Sequence, residues 1–556
     1  MYRMSRGAMY LVIVLLIVSI ISMALPVVVN ASETSLQHAK NVPASVVEPG
    51  IVSDGSNFYI AYVNITDPQY AEGDLVVMKI SSSGTILWTQ TVSDVKAIAV
   101  DLVYANGKVF VAIDKWDNRR DIYYLVLDAD SGDILKDLTA VAHTDDYEEY
   151  VDIAYNPSTQ QVAIAYFNSA DYAVYVALIN ANTMELITTK PIGPFSTEGL
   201  GYKSVTFTII PGKSSYGDGF LLVYSYYNDN QKDLAAVYIY SDATTDTLQV
   251  PATTNANETV GGRFTIYNPL TGRSSYCYQS YPGGIFGDYM VVSVMAYTGP
   301  DESDVRLLVV DKDLNTKYLV IDSGGYPSLA IGGSSIAVAY RSTEDDPLGN
   351  IRIAILGSLE DMVEARIIDL STDFNTTGYA EGYSKMMYLS TLPGYVIVWG
   401  VREENGDYRV IAVTVSQDGK ISSSYKELFD TPGINDYPVG LKPAAGKVGV
   451  LIRTMIYERS GYILQAYDQN LTLYILDPAT EIGSPTEEPS TGHTVVVEEI
   501  KPPETTTTPP HTTTTTTTTT TTPPPAEEGI NMTLLLIMIV IVGVIIVIAI
   551  MILKMR

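Results

Sequence analysis

Acidic side chains recur at one place in a repeated unit of this chain. Asp74, Asp121, Asp171, Asp233, Asp304 and Asp407 each stand just before a short apolar run, and Asn350 does the same. The turns ahead of those runs hold more acids: Asp67 and Glu72, Asp117, Asp229, Asp301 and Glu302, Glu344 to Asp346, Glu403 and Glu404. Oxygen donors in such numbers suit Ca²⁺, which takes six to eight of them. Asp74, Asp121, Asp233, Asp304, Asp345 and Asp407 are therefore the candidate metal ligands. No single turn carries a D-x-D-x-D-G spacing. An Asp before a strand also has a local role, bonding the backbone of its own turn, and the pattern favours that role. No other cofactor is implied.

Nitrogen and sulfur chemistry is sparse. The four histidines are His38, His143, His493 and His511. Only His143 falls within the repeated units, too isolated for a zinc site, which needs several such ligands. A Ser-His-Asp triad would have to use it, and no G-x-S-x-G elbow accompanies it. Carboxylates are abundant, so a paired-carboxylate glycosidase turns on a separation that sequence does not supply. Cys277 is the single cysteine. It has no intramolecular partner and reads as a small buried residue of a strand.

The elements around the acids are strands. Ile60-Ala61-Tyr62-Val63, Val162-Ala163-Ile164-Ala165-Tyr166 and Ile336-Ala337-Val338-Ala339-Tyr340 alternate bulky and small residues. A period of two means strand. Both faces are apolar, so both are buried, and the alanines mark a face of close approach. Hairpin signals such as Ser83-Gly84 and Asp418-Gly419 follow the second runs. Strand pairs place eight units, at 45–93, 94–142, 147–192, 200–250, 260–321, 325–370, 383–430 and 436–477. Repeats of this kind, four strands each, predict an all-β fold: a β-propeller of about eight four-stranded blades over 45–477. The fifth unit carries an insertion, Tyr267–Gly287, whose Tyr276, Tyr278, Tyr281 and Phe286 are candidate contact residues.

The ends read differently. Arg3 and Arg6 precede an apolar run from Ala8 to Leu25, and Val29-Asn30-Ala31 offers a cleavage site. Residues 1–31 are thus expected to be a secretory signal, with a retained anchor as the rival. From 478 to 529 the chain is rich in Thr, Pro and Glu, with Thr512–Thr522 unbroken, and is expected to be a disordered, glycosylated stalk. Met532–Leu553 is an apolar run long enough to span a bilayer, so 530–553 is expected to be a transmembrane helix. Lys554 and Arg556 follow, so the tail 554–556 is expected in the cytoplasm and the rest outside. That places the protein in the plasma membrane, single-pass. Sequons at Asn64, Asn257, Asn375 and Asn470 are candidate glycosylation sites, the first three in turns or polar loops.

With 34 basic and 63 acidic side chains, the formal charge is −29. That surface repels nucleic acid. Signal, β-rich ectodomain, Thr-rich stalk, anchor and basic tail together resemble the stalked surface glycoproteins of archaea. Asp128-Ala129-Asp130-Ser131-Gly132-Asp133-Ile134-Leu135 and Gly84-Thr85-Ile86-Leu87-Trp88 resemble repeats of quinoprotein-like propellers, a likeness of fold that carries no quinone with it. The function expected is a cell-surface binding or structural module, meeting a protein or polysaccharide outside the cell. The alternatives are a surface hydrolase using a carboxylate pair and a solute-binding component of a transporter. In a propeller the acidic turns share one face, where their repulsion would be relieved by a divalent ion, a basic partner, or spacing and salt.

Overall fold

The computed structural model describes residues 33–40 and, apart from loop segments, 49–502. These are almost wholly strands, arranged in six hydrogen-bonded sheets, none closed on itself. The strands run as antiparallel meanders. Gln161–Asn168, for example, lies between Glu148–Asn156 and Ala173–Asn180, with Leu186–Ile192 outermost. Two meanders share one long strand, Ile86–Ala105. Its first half pairs with Glu72–Ser81 and its second half with Lys108–Trp116.

Counted by their interfaces, the meanders form eight blades in a ring. Each pair of neighbours encloses its own apolar cluster, and the eighth cluster joins the last blade to the first. At that seam Ile51, Phe58 and Ile60 of blade 1 meet Leu451, Leu473 and Ile475 of blade 8. Glycines permit the approach: a Cβ on Gly440 would lie 2.5 Å from Ile51, and one on Gly449 2.7 Å from Phe58. The innermost strands touch in the same cyclic order, from Gly50–Ser53 round to Asn435–Ala444 and back.

The alternating runs are the second strands of the blades. Ala337 and Ala339 face blade 7, whereas Ile336, Val338 and Tyr340 face blade 5. Ala163 and Ala165 face blade 4, and Val162, Ile164 and Tyr166 face blade 2. A strand packed on both sides must be apolar on both, which is why its pattern shows in size rather than polarity.

Two regions depart from the sequence reading. The insertion before the inner strand of blade 5 is a hairpin, Gly261–Asn268 with Arg273–Ser280. It pairs through Ile266 with Leu464 of blade 8, so its backbone links two blades that are not neighbours. The second departure is a correction. The expected disordered stalk does not begin at 478, because residues 478–502 are folded along the outer rim. Asp477 caps a helical turn, Pro478–Glu481. Glu487 then exchanges two backbone bonds with Ile421 of blade 7, at 2.8 and 3.0 Å. Next, His493–Val496 pairs with Glu364–Asp369, the outer strand of blade 6. Finally Glu498–Ile500 pairs with Thr316–Ser323, the outer strand of blade 5. The physical reason is twofold. Those outer strands present unpaired N–H and C=O groups, and Val495, Val497 and Ile500 turn apolar side chains onto blade faces.

Residues 503–556, including most of the expected stalk, the expected transmembrane helix and the tail, lie outside the described residues, as do 1–32. Among the described residues, no helix is long and apolar enough to cross a membrane.

Candidate functional site

Each blade's inner strand leaves one backbone edge facing the axis. Side chains from the preceding blade bond that edge. Asp101 of blade 2 accepts the N–H of Ile153 at 3.2 Å, and Asp152 of blade 3 accepts the N–H of Ile209 at 3.0 Å. Ser328 of blade 6 accepts from Met386 of blade 7 at 3.0 Å. Inside this ring of edges lies a cavity of about 550 Å³, lined by seven of the eight blades.

One carboxyl, Asp101, lines the cavity wall, and a second, Asp152, is buried near it on the next blade. Asp101 also accepts the N–H of Leu102 at 2.8 Å, and it lies close enough to Asp152 for the two to influence each other's titration. Burial raises both, and the charge of Asp101 lifts Asp152 further, so the pair releases its protons at about 6 and about 8. At neutral pH the pair therefore carries about one negative charge. Both carboxyls are already committed to backbone N–H groups.

The opposite sign is less committed. Lys442, on the inner strand of blade 8, opens to the water of the cavity while protein surrounds it. That enclosure lowers its pKa, and the charge of Asp101 partly opposes the shift. No hydrogen bond or ion pair reaches its ammonium from the described residues. On the neighbouring blade Ser384 is 4% exposed, lines the same cavity, and its hydroxyl has no partner. Tyr150 and Tyr326, also in the lining, hold left-handed backbone at φ 59° and 55°. Each sits where the strand pairing slips by a bulge, a device that re-aims side chains.

The acids singled out in the sequence do other work. Asp121 is fully buried and accepts from, or donates to, His143 Nδ1 at 2.8 Å, depending on the tautomer. Beside it Glu148, also buried, is bonded by Thr144 and Asn168. Burial raises the Glu148 pKa, and the charge of Asp121 adds to the rise. Asp304 pairs with Arg306 at 2.9 Å, and the same guanidinium reaches buried Glu258 at 3.2 Å. Asp74 accepts the backbone N–H of Asp94 at 2.9 Å, and Asp233 accepts from Gln231 at 2.9 Å. Arg120 with Asp114, and Arg352 with Asp322 and Asp369, repeat the pattern in other blades. Asp345 and Asp407 lie outside the described residues. Among the described residues no three His, Cys, Asp or Glu converge as metal ligands.

The remaining candidates are scattered. Tyr281 is buried at the cavity wall, and Phe286 is on the inner strand of blade 5. Tyr276, Tyr278 and Cys277 are placed only by backbone, on the strand Arg273–Ser280. Asn64, Asn257 and Asn375 are exposed, and Asn470 is on a paired strand. Asp101, Asp152, Lys442 and Ser384 escaped the sequence reading. A signal for the first two exists: Val100-Asp101-Leu102-Val103-Tyr104 and Val151-Asp152-Ile153-Ala154-Tyr155 are one repeat apart.

No protein-family model matches the chain, and no curated protein matches it. Solved structures do. One is described as the structure of Dos1 propeller, with 12% identity, 79% of this chain and 95% of that chain covered, and a TM-score of 0.42. Another is the β-propeller domain of the trilobed protease from Pyrococcus furiosus, with 10% identity, 68% and 95% covered, and a TM-score of 0.32. A third is a polysaccharide lyase of the ulvan lyase family PL25, with 9% identity, 69% and 96% covered, and a TM-score of 0.39. The chain is similar to these in its all-β propeller architecture.

Proposed function

We propose that this protein is a binding module held at the cell surface, with its propeller outside and its C-terminal apolar segment in the plasma membrane. The observation that carries the binding role is the state of the polar groups in the central cavity. The carboxyls there are spent on backbone edges, whereas an ammonium and a hydroxyl are left for a guest. Asp101 and Asp152 are bonded to backbone N–H groups and only Asp101 lines the cavity, but a glycosidase needs two available carboxyls about 5 to 9.5 Å apart, on either side of a bond. That counts against the hydrolase alternative at this site. The all-β fold counts against a two-lobed α/β solute-binding component.

The surface location is supported by the N-terminal signal pattern and by the apolar run 530–553 followed by Lys554 and Arg556. Glycans at Asn64, Asn257, Asn375 and Asn470 would accompany export, and the first three of these side chains are exposed. The test is protease treatment of intact cells bearing the full chain. Release of a folded head, leaving a small membrane-bound stub, is the expected result. A head protected from external protease would reverse the orientation. Turnover of polysaccharide or peptide substrates by the solubilised protein would replace binding with catalysis.

A further inference from the structure

Resting on that binding role, the cavity also carries a statement about what is bound. We propose that it takes a small organic carboxylate, whose acid group is held by Lys442 and Ser384. Lys442 and Ser384 come from neighbouring inner strands, those of blades 8 and 7, and both line the cavity. The described residues supply neither of these two groups with a hydrogen bond or ion pair. A buried hydroxyl without a partner costs free energy that a ligand oxygen would recover. An ammonium in an enclosed, partly apolar wall gains more from an anion than one in bulk water does.

The sign of the ligand follows from the surroundings. The protein carries −29 overall, so a cation would find sites all over its surface, and an anion few. In the cavity the ammonium of Lys442 has one competing carboxylate, Asp101, and that is turned toward the N–H groups of Leu102 and Ile153. Beside the two polar groups, Tyr388 of blade 7 and Tyr326 of blade 6 are half-buried and offer ring surface to the body of the ligand. Small-molecule sites have this composition: mostly apolar walls with a few convergent polar groups.

Calorimetric titration of the detergent-solubilised full chain with benzoate, and with its uncharged counterpart benzamide, tests the assignment. Benzoate should bind at least ~10-fold more tightly than benzamide, the scale of one charge-assisted hydrogen bond. Lys442→Met should reduce benzoate to the benzamide level, and Ser384→Ala should weaken benzoate by a smaller factor. Thermal melts of both variants establish that they are folded. Equal binding of the two probes, unchanged binding by Lys442→Met, or no benzoate binding each overturns the carboxylate assignment. Binding of neutral sugars or amines without benzoate would overturn it while leaving a binding module standing. Silence toward acids, sugars and amines alike would remove both.

Discussion

The end of the propeller that carries the acidic loops and the cavity at its axis use charge in opposite ways. Near the loops, arginines at matching places in several blades close onto carboxylates: Arg120 on Asp114, Arg306 on Glu258 and Asp304, Arg352 on Asp322 and Asp369. The repulsion expected among the acidic turns is relieved from within, by side chains of the same blade or, for Arg352 and Asp322, of the neighbouring one. In the cavity the carboxyls serve the backbone and an ammonium is left over. Charge density is thus a poor guide to a site, and a charge without a partner is a better one.

The comparison breaks most sharply at Arg352. It is 7% exposed and holds two carboxylates, so Arg352→Ala leaves buried charges uncompensated. A loss of about 3–5 kcal/mol is expected in urea unfolding. A loss below about 1 kcal/mol would mean that the pairs near the loops are incidental.

Asp152 gives the next largest effect, and its sign depends on pH. Its folded pKa lies above the unfolded value near 3.9, so the folded state holds extra protons. That contribution is complete below pH 4 and is lost as pH rises through about 6 and about 8. Asp152→Asn keeps an acceptor for Ile209. It should raise Tm at pH 8.5 by about 2–5 °C and change little at pH 5. Parallel melting curves for the two proteins across that range would remove the coupled titration from the account.

Smaller still is Asp74→Ala. It removes one acceptor from the Asp94 N–H and should cost about 0.5–1.5 kcal/mol, with no dependence on Ca²⁺. Stabilisation by Ca²⁺ that vanishes in this variant would restore the metal reading of the turns. Lys442→Met should sit last, within about 0.5 kcal/mol of the parent, because the fold makes no direct bond to that ammonium. A large loss would make Lys442 structural and remove it from the cavity's chemistry.

Much of the architecture was legible because blades are local. The two apolar runs of each unit are consecutive strands of one meander, so their periodicity and the acids between them sit within one short window, as in Ile336–Ser342 and Asn350–Leu356. What escaped was non-local. Val495 and Val497 look like a minor apolar island in a Pro- and Thr-rich region until Ala365 and Val363 are placed beside them. The cavity residues escaped for the same reason. Lys442 and Ser384 are unremarkable in sequence, and only the ring brings neighbouring inner strands together around a common space.

The rim segment has a mechanical consequence. A pull applied to the chain beyond Pro502 would first load the three-residue ladder Glu498–Ile500 on blade 5, then His493–Val496 on blade 6, then the Glu487–Ile421 bridge on blade 7. Each is peeled in turn, and none of the peeled segments is itself a strand of the eight-blade ring. Released back to Asp477, the segment would lengthen the chain by roughly 80 Å, at about 3.3 Å per residue, before the last blade felt the load. Single-molecule stretching from the C-terminus should record that early, low-force extension ahead of the first blade rupture. The folded rim would then act as a fuse, yielding so that the cavity keeps its shape under tension.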